Sequence, residues 1–320
     1  MKKVFRREFI RNAFLALGAI TLADVIAAIG PLFAKPTTTK RPSNAAGAAN
    51  TVIVVKGGDL SKATIERMVR TGMAELGGIQ RFVKKGMNVV IKPNIGWASK
   101  PERAHNTNPH LVEAVAAMCV KAGARVTIMD RPVHAVDRCY RLSGIQDAAK
   151  RCGAKMVAMD KRKFKEVPVK GGLSLSTVEV YEDILNADLV INIPIAKHHG
   201  SGTVTLAMKN LMGAIGGSRG KYHIGNLHEN IVDFTKAIPT GLVIIDALRV
   251  LLDNGPSGGS PKDIAEPRTI LFGTNPVTMD AYATRFLNRQ PSSVEHIRLA
   301  GREGMGVIDP AKMRIVNKAV

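Results

Sequence analysis

From Thr51 onward the chain alternates short apolar runs with amphipathic stretches almost without a break. Thr51–Lys56, Met87–Ile91 and Arg125–Met129 are rich in β-branched and aliphatic residues and read as strands. Lys155–Met159 and Ser176–Val180 read as shorter ones. Asp188–Ile195 is a nearly continuous apolar run, and Leu242–Ile245 and Arg268–Phe272 follow it. Between these runs the pattern predicts helices. The first starts from Ser61 as N-cap, runs through Glu75 and is ended by Gly77-Gly78. The second starts at Thr107, with Pro109 in its first turn, and stops at Gly123. Others cover Leu142–Arg151, Thr203–Met212, Leu227–Ala237, Pro276–Leu287 and Ser293–Arg302. Strands apolar at consecutive positions are covered on both faces. Their alternation with helices predicts an α/β fold: a doubly wound, largely parallel open sheet with helices on both faces. The basic excursion Lys161–Gly172 begins a smaller insertion.

The first 50 residues do not follow this pattern. Arg6-Arg7-Glu8-Phe9-Ile10 precedes an apolar run from Ala13 to Ala34, which closes on Leu32-Phe33-Ala34. A charged segment, an apolar segment and a small residue at one of two candidate cuts, after Ala34 or among Ala45 to Ala49, compose an export signal over residues 1–34. It resembles a twin-arginine translocation signal, with Phe5 where that pattern has Ser or Thr. An ordinary secretory signal and a retained membrane anchor are the alternatives. Asp24 counts against a permanent span, because a carboxylate at mid-bilayer costs about 2.5–3.5 kcal/mol on insertion scales. The resemblance implies the twin-arginine translocation machinery as a partner, a periplasmic or otherwise exported location, and a membrane tether if the signal is uncleaved. It also implies export in the folded state, which proteins that take up a cofactor in the cytoplasm need most. Residues 35–50, rich in Thr, Pro, Ala and Asn, read as a flexible spacer, and residues 51–320 as the α/β domain.

Charge narrows the ligand class. The net charge is +20, and residues 1–50 hold eight Lys/Arg and two acids, so the domain keeps +14. A basic exported protein points to an anionic small molecule, an anionic membrane surface or an acidic partner. Export and the lack of any recognition motif argue against nucleic acid. The three cysteines, Cys119, Cys139 and Cys152, form no CxxC pair, so no iron–sulfur cluster or zinc ribbon is encoded. Cys139 and Cys152 flank the predicted helix, and their spacing leaves pairing open.

Polar residues collect after the strong strands, where open α/β sheets bind ligands. Lys92, Pro93, Asn94 and Gly96 follow the second strand, and Asp130 and Arg131 the third. Lys197-His198-His199-Gly200 follows the long apolar run, Asp246 the next, and Gly273-Thr274-Asn275 the last. His198 beside Lys197 is the sharpest candidate for catalysis, together with Asp246, although Asp246 also suits simple bonding to nearby amides. His198, His199, His223 and His228 offer neutral imidazoles to a metal, but match no metal-binding pattern. Contacts to an anion and proton transfer are the other uses open to them. The stretch Gly216–Lys221 is not a phosphate-binding Walker loop, since Ile215 and Tyr222 occupy required positions. It reads as a mobile basic loop that closes over an anion. No nucleophile elbow, HExxH or GxGxxG is present.

Several stretches together are similar to the domain of unknown function 362 family. They are Val90-Ile91-Lys92-Pro93-Asn94, Thr107–Ala114, Ala187–Pro194, Lys197-His198, Met208-Lys209-Asn210-Leu211-Met212-Gly213, Ile245-Asp246-Ala247, Gly255-Pro256 and Gly273–Ala281. The resemblance spans roughly residues 85–290. Some members carry a ferredoxin module and are described as iron–sulfur-associated; without a cysteine quartet that feature does not transfer. Two readings follow. In the first, an exported, redox-associated enzyme uses a metal or organic cofactor in a cleft at the strand ends. Lys92, Asn94, Lys197, His198, Lys209, Asn210, Arg219, Asp246 and Asp280 line that cleft. In the second, the same cleft serves a non-catalytic binding or assembly factor for periplasmic redox proteins.

Overall fold

The apolar runs pair as strands of one sheet. The computed structural model describes residues 49–320; the twin-arginine stretch and most of the spacer lie outside the described residues. The chain runs β1 (Thr51–Lys56), α1 (Lys62–Glu75), β2 (Asn88–Pro93), α2 (Pro109–Lys121), β3 (Arg125–Ile128), α3 (Val136–Leu142), α4 (Ile145–Cys152) and β4 (Lys155–Met156). It continues with β5 (Phe164–Pro168), β6 (Thr177–Tyr181), α5 (Glu182–Leu185), β7 (Leu189–Ile193), β8 (Ile195–His199), β9 (Thr203–Thr205) and α6 (Ala207–Asn210). The last part holds α7 (Leu227–Ala237), β10 (Leu242–Leu251), β11 (Ile264–Ala265), β12 (Thr269–Gly273), α8 (Pro276–Ala283), α9 (Glu295–Arg302) and β13 (Arg314–Ala319).

The main sheet has the order β13-β1-β12-β10-β7-β2-β3-β4, with β8, β9 and β11 attached at β10. Every neighbouring pair along that order is parallel except those of β12, which runs against both β1 and β10. Alternate side chains of each strand enter two separate cores. Val90, Val190, Val243 and Ile245 face α7, α8 and α9, meeting Ile231, Phe234, Met279 and Ile297. Val89, Ile91, Ile191 and Ile244 face α1 and α2, meeting Ile65, Met68, Leu111 and Val115. Each fully buried side chain of this kind is worth about 1.5–3 kcal/mol. The protein is thus an α/β fold with a doubly wound, largely parallel sheet and helices on both faces.

Local signals fix the helix starts. The Ser61 side chain accepts from Thr64 N, and that of Asn108 accepts from His110 N with Pro109 in the first turn. The Asn275 side chain accepts from Val277 N and Thr278 N. The basic excursion does open an insertion: β5 and β6 form a separate two-stranded sheet. The predicted helix over Thr203–Met212 is instead β9, the short α6 and a tight turn over Leu211–Ala214. Thr203 to Thr205 prefers the strand because β8 is there to pair with it. Cys119, Cys139 and Cys152 are free thiols. Among the described residues no helix is long and apolar enough to cross a membrane.

Candidate functional site

β2, β3 and β7 run parallel, and the chain leaves β2 toward β3 on one side but reaches β7 on the other. That reversal opens a crevice at their carboxyl ends. A cavity of about 380 Å³ lies there. β2 delivers Asn94, Gly96 and Trp97, β3 delivers Asp130 and Arg131, and β8 delivers Lys197 and His199. α6 and the turn after it add Lys209, Asn210 and Met212, and the glycine-rich loop adds Arg219 and His223.

The floor is a hydrogen-bonded polar network. Lys92, fully buried, pairs with Asp130 at 2.7 Å. Burial pushes the Lys92 ammonium down, and the Asp130 carboxylate pulls it back up. Asp130 also accepts from Ile95 N at 2.6 Å and Arg131 N at 2.9 Å, so its oxygens are occupied. Asn210 ties the strands together. It accepts from Asn94 Nδ2 at 3.0 Å and donates to Asn192 Oδ1 at 2.7 Å and to Lys92 O at 3.2 Å.

Above this floor the cavity wall carries Lys197, Lys209, Arg131 and Arg219, with Asp130 as the facing carboxylate. Lys197 Nζ donates to Asn94 Oδ1 at 3.1 Å and to the His105 carbonyl. Burial and the neighbouring Lys209 push its pKa down to about 7. Burial, Arg219 and Lys92 do the same to Lys209. His199 is pushed down to about 2, by burial first and by Lys209 and His223 next. Its ring stacks on His223, with centroids 5.8 Å apart. The glycine-rich loop is strapped in place. Arg131 donates to the carbonyls of Ile215 and Gly217, and Arg219 donates back to those of Arg131 and Pro132.

Not every expected residue reaches this cavity. Asn94, Lys197, His199, Lys209, Asn210, Arg219 and His223 line it, and Lys92 lies in the floor beneath. His198 does not: along β8 side chains alternate, so Lys197 and His199 share a face that His198 cannot. Its Nδ1 accepts from Gly255 N at 3.1 Å, and its Nε2 stands 3.8 Å from Asp253. His228 stacks on His296, with Nδ1 atoms 3.1 Å apart. The four histidines expected as metal ligands therefore do not converge: His199 and His223 stack in the cavity, while His198 and His228 lie apart from it. Among the described residues no group of three or more His, Cys, Asp or Glu side chains is arranged to hold a metal.

Both remaining aspartates serve the backbone. Asp246 accepts from Asn108 N at 2.7 Å and Leu248 N at 2.9 Å, which anchors the start of α2. Burial raises its pKa to about 6. Asp280 accepts from Ala207 N at 2.6 Å and Met208 N at 2.8 Å, which fixes the start of α6. Gly273-Thr274-Asn275 sits at the opposite edge, because β12 is antiparallel to its neighbours. Asp130 and Arg131, placed at a strand end but not assigned a role, prove central; the charge of that dipeptide directly after β3 was the signal.

A family model described as domain of unknown function (DUF362) matches residues 89–285, a span that contains every residue named above as lining the cavity. The chain belongs to the DUF362 family. A thylakoid-associated protein of Synechocystis sp. is 27% identical over 254 residues, covering 75% of this chain and 74% of that protein. Among solved structures, the lactate racemase apoprotein from Thermoanaerobacterium thermosaccharolyticum has a TM-score of 0.43 at 12% identity over 76% of this DUF362 chain. A protein from Thermotoga maritima has a TM-score of 0.40 at 10% identity over 77%. The chain spans 57% and 60% of the lengths of those two structures.

Proposed function

We propose that this DUF362 protein binds a small anion, a carboxylate-bearing molecule or an anionic cofactor, in the cavity at the carboxyl ends of β2, β3 and β8. One observation carries the reading: two buried lysines, Lys197 and Lys209, face the cavity without a carboxylate partner. A buried ammonium lacking a counter-charge is costly, and an anion supplies that charge. Arg219 and Arg131 add cationic field while their own donors are engaged by backbone carbonyls. The strapped loop gives the site a fixed wall, so a ligand meets preorganised cations. Cofactor loading before export is the biological setting that the twin-arginine resemblance supplies.

The test is titration of the purified protein with sulfate, acetate and succinate, read by calorimetry and thermal shift. Ligand at 100 times its dissociation constant adds about 2.7 kcal/mol of stability. Combined Lys197→Met and Lys209→Met removes the shift while the chain stays folded. Absence of binding by any of these anions, or binding unchanged in the double variant, rejects the assignment.

A further inference from the structure

Three of the four cations on the cavity wall are held by oxygen acceptors. Arg131 and Arg219 donate to carbonyls, and Lys197 to Asn94 Oδ1 and the His105 carbonyl. Lys209 differs. It is 7% exposed, and its Nζ meets Met212 Sδ and His223 Nε2, each at 3.4 Å. A thioether is a weak acceptor and 3.4 Å is a long contact, so neither partner compensates a buried ammonium, while both accommodate a neutral amine.

The neighbouring imidazole is oriented. His223 Nδ1 lies 2.8 Å from the Arg219 carbonyl, which can only accept, so Nδ1 is the donor. In the neutral ring the lone pair is then on Nε2, the atom beside Lys209. A desolvated lysine flanked by cations and touching a base is the arrangement in which this residue attacks carbonyl carbon. Burial first, and the Arg219 guanidinium and Lys92 ammonium next, push the Lys209 pKa down to about 7.

We propose that the anion taken by the cavity carries a ketone or aldehyde, as a small 2-oxo acid does, and that Lys209 condenses with it to form an imine. The proposal rests on the anion-binding reading above. Arg219 and Lys197 supply counter-charge to the carboxylate. The neutral Nζ forms a bond to the carbonyl carbon as the C=O π pair moves to oxygen. His223 Nε2 relays the two amine protons in turn to that oxygen. The oxygen leaves as water, and the nitrogen lone pair closes the C=N bond. One amine and one carbonyl give one imine and one water, with no oxidant or reductant consumed.

The experiment uses the whole protein incubated with 2-oxobutyrate and then sodium cyanoborohydride, followed by intact mass and peptide mapping. One adduct per chain, on Lys209, is expected, and 2-hydroxybutyrate, which lacks the carbonyl, should protect against it. His223→Gln is expected to slow labelling by about 100-fold or more at the same residue. Calorimetric binding of both acids without a reducible adduct would overturn the imine and leave the anion reading standing. An adduct mapping equally to other lysines, with Lys209 unmodified in the wild-type protein, would overturn it too. If neither acid binds, the anion reading itself falls.

Discussion

Two lysines of this DUF362 protein, Lys92 and Lys209, are both buried at the same crevice, yet their neighbours give them opposite characters. Lys92 has a carboxylate at 2.7 Å and is held as one member of an ion pair. Removing one member of a buried pair leaves the other charge stranded, so Lys92→Met should cost about 3–5 kcal/mol of stability, measured by chemical denaturation. Lys209 has no carboxylate, so Lys209→Met strands nothing and should leave the unliganded protein as stable or more so. His198 is the useful contrast. Its Nδ1 contact to Gly255 N is a single hydrogen bond outside the cavity. His198→Gln should cost at most about 0.5–1.5 kcal/mol and leave anion binding intact. Loss of binding in that variant, with an unchanged unfolding midpoint, would return His198 to the site.

At the scale of elements, the sheet and its helices were readable because their signals are local. Val89–Ile91 and Leu189–Ile191 are apolar on consecutive positions, and Ser61, Asn108 and Asn275 cap the helices that follow them. The direction of β12 was not readable, since an apolar run carries no sign of which way it runs. That single reversal moved Gly273–Asn275 to the far edge. The site was readable in part: strand ends announced Asn94, Lys197 and Arg131, but the alternation that turns His198 away depends on where β8 begins. Asp280 looked like a ligand because its employment by backbone amides is a tertiary contact, whereas bonding to nearby amides was already one of the two readings of Asp246 and is the one it follows. The turn at Leu211–Ala214 packs close enough to exclude a side chain at Gly213. A Cβ there would stand 1.9 Å from Asp130 Oδ1 and 2.7 Å from Lys92 Nζ. Gly213→Ala should therefore part the buried pair, cost about 1–3 kcal/mol as overpacking does, and weaken anion binding. Gly200→Ala is the control, because a Cβ there meets nothing within 4 Å. Equal midpoints for the two variants would refute this account.

For the whole molecule, the charge of the domain and the chemistry of its crevice converge on pH-dependent behaviour. Export is one expectation at this scale: replacing Arg6 and Arg7 together by Lys should leave precursor in the cytoplasm, read by fractionation, and unchanged export would remove the twin-arginine claim. The stability of the folded domain provides the other. Burial and the cations Arg219 and Lys92 push Lys209 down to about 7 in the folded chain. In the unfolded chain it titrates near 10.4. Between those values the unfolded chain binds more protons, so this lysine's burden on the fold is full below about pH 7 and fades as pH rises toward about 10. Lys209→Met removes that burden at every pH. Its stability advantage over the wild type should be largest at about pH 6 and shrink steadily toward about pH 10. Groups present in both proteins largely cancel from that difference, apart from Lys197, whose pKa Lys209 helps burial to push down. Sulfate stays a dianion through this range and reports on the protein alone. It should therefore stabilise the wild type more at about pH 6 than at about pH 9, when the lysines lose their protons, and should stabilise the variant less at both. Denaturation curves across this pH range, with and without sulfate, decide the matter. A stability difference independent of pH would mean that Lys209 keeps its proton in the folded chain, and would leave the cavity without the neutral amine that its chemistry requires.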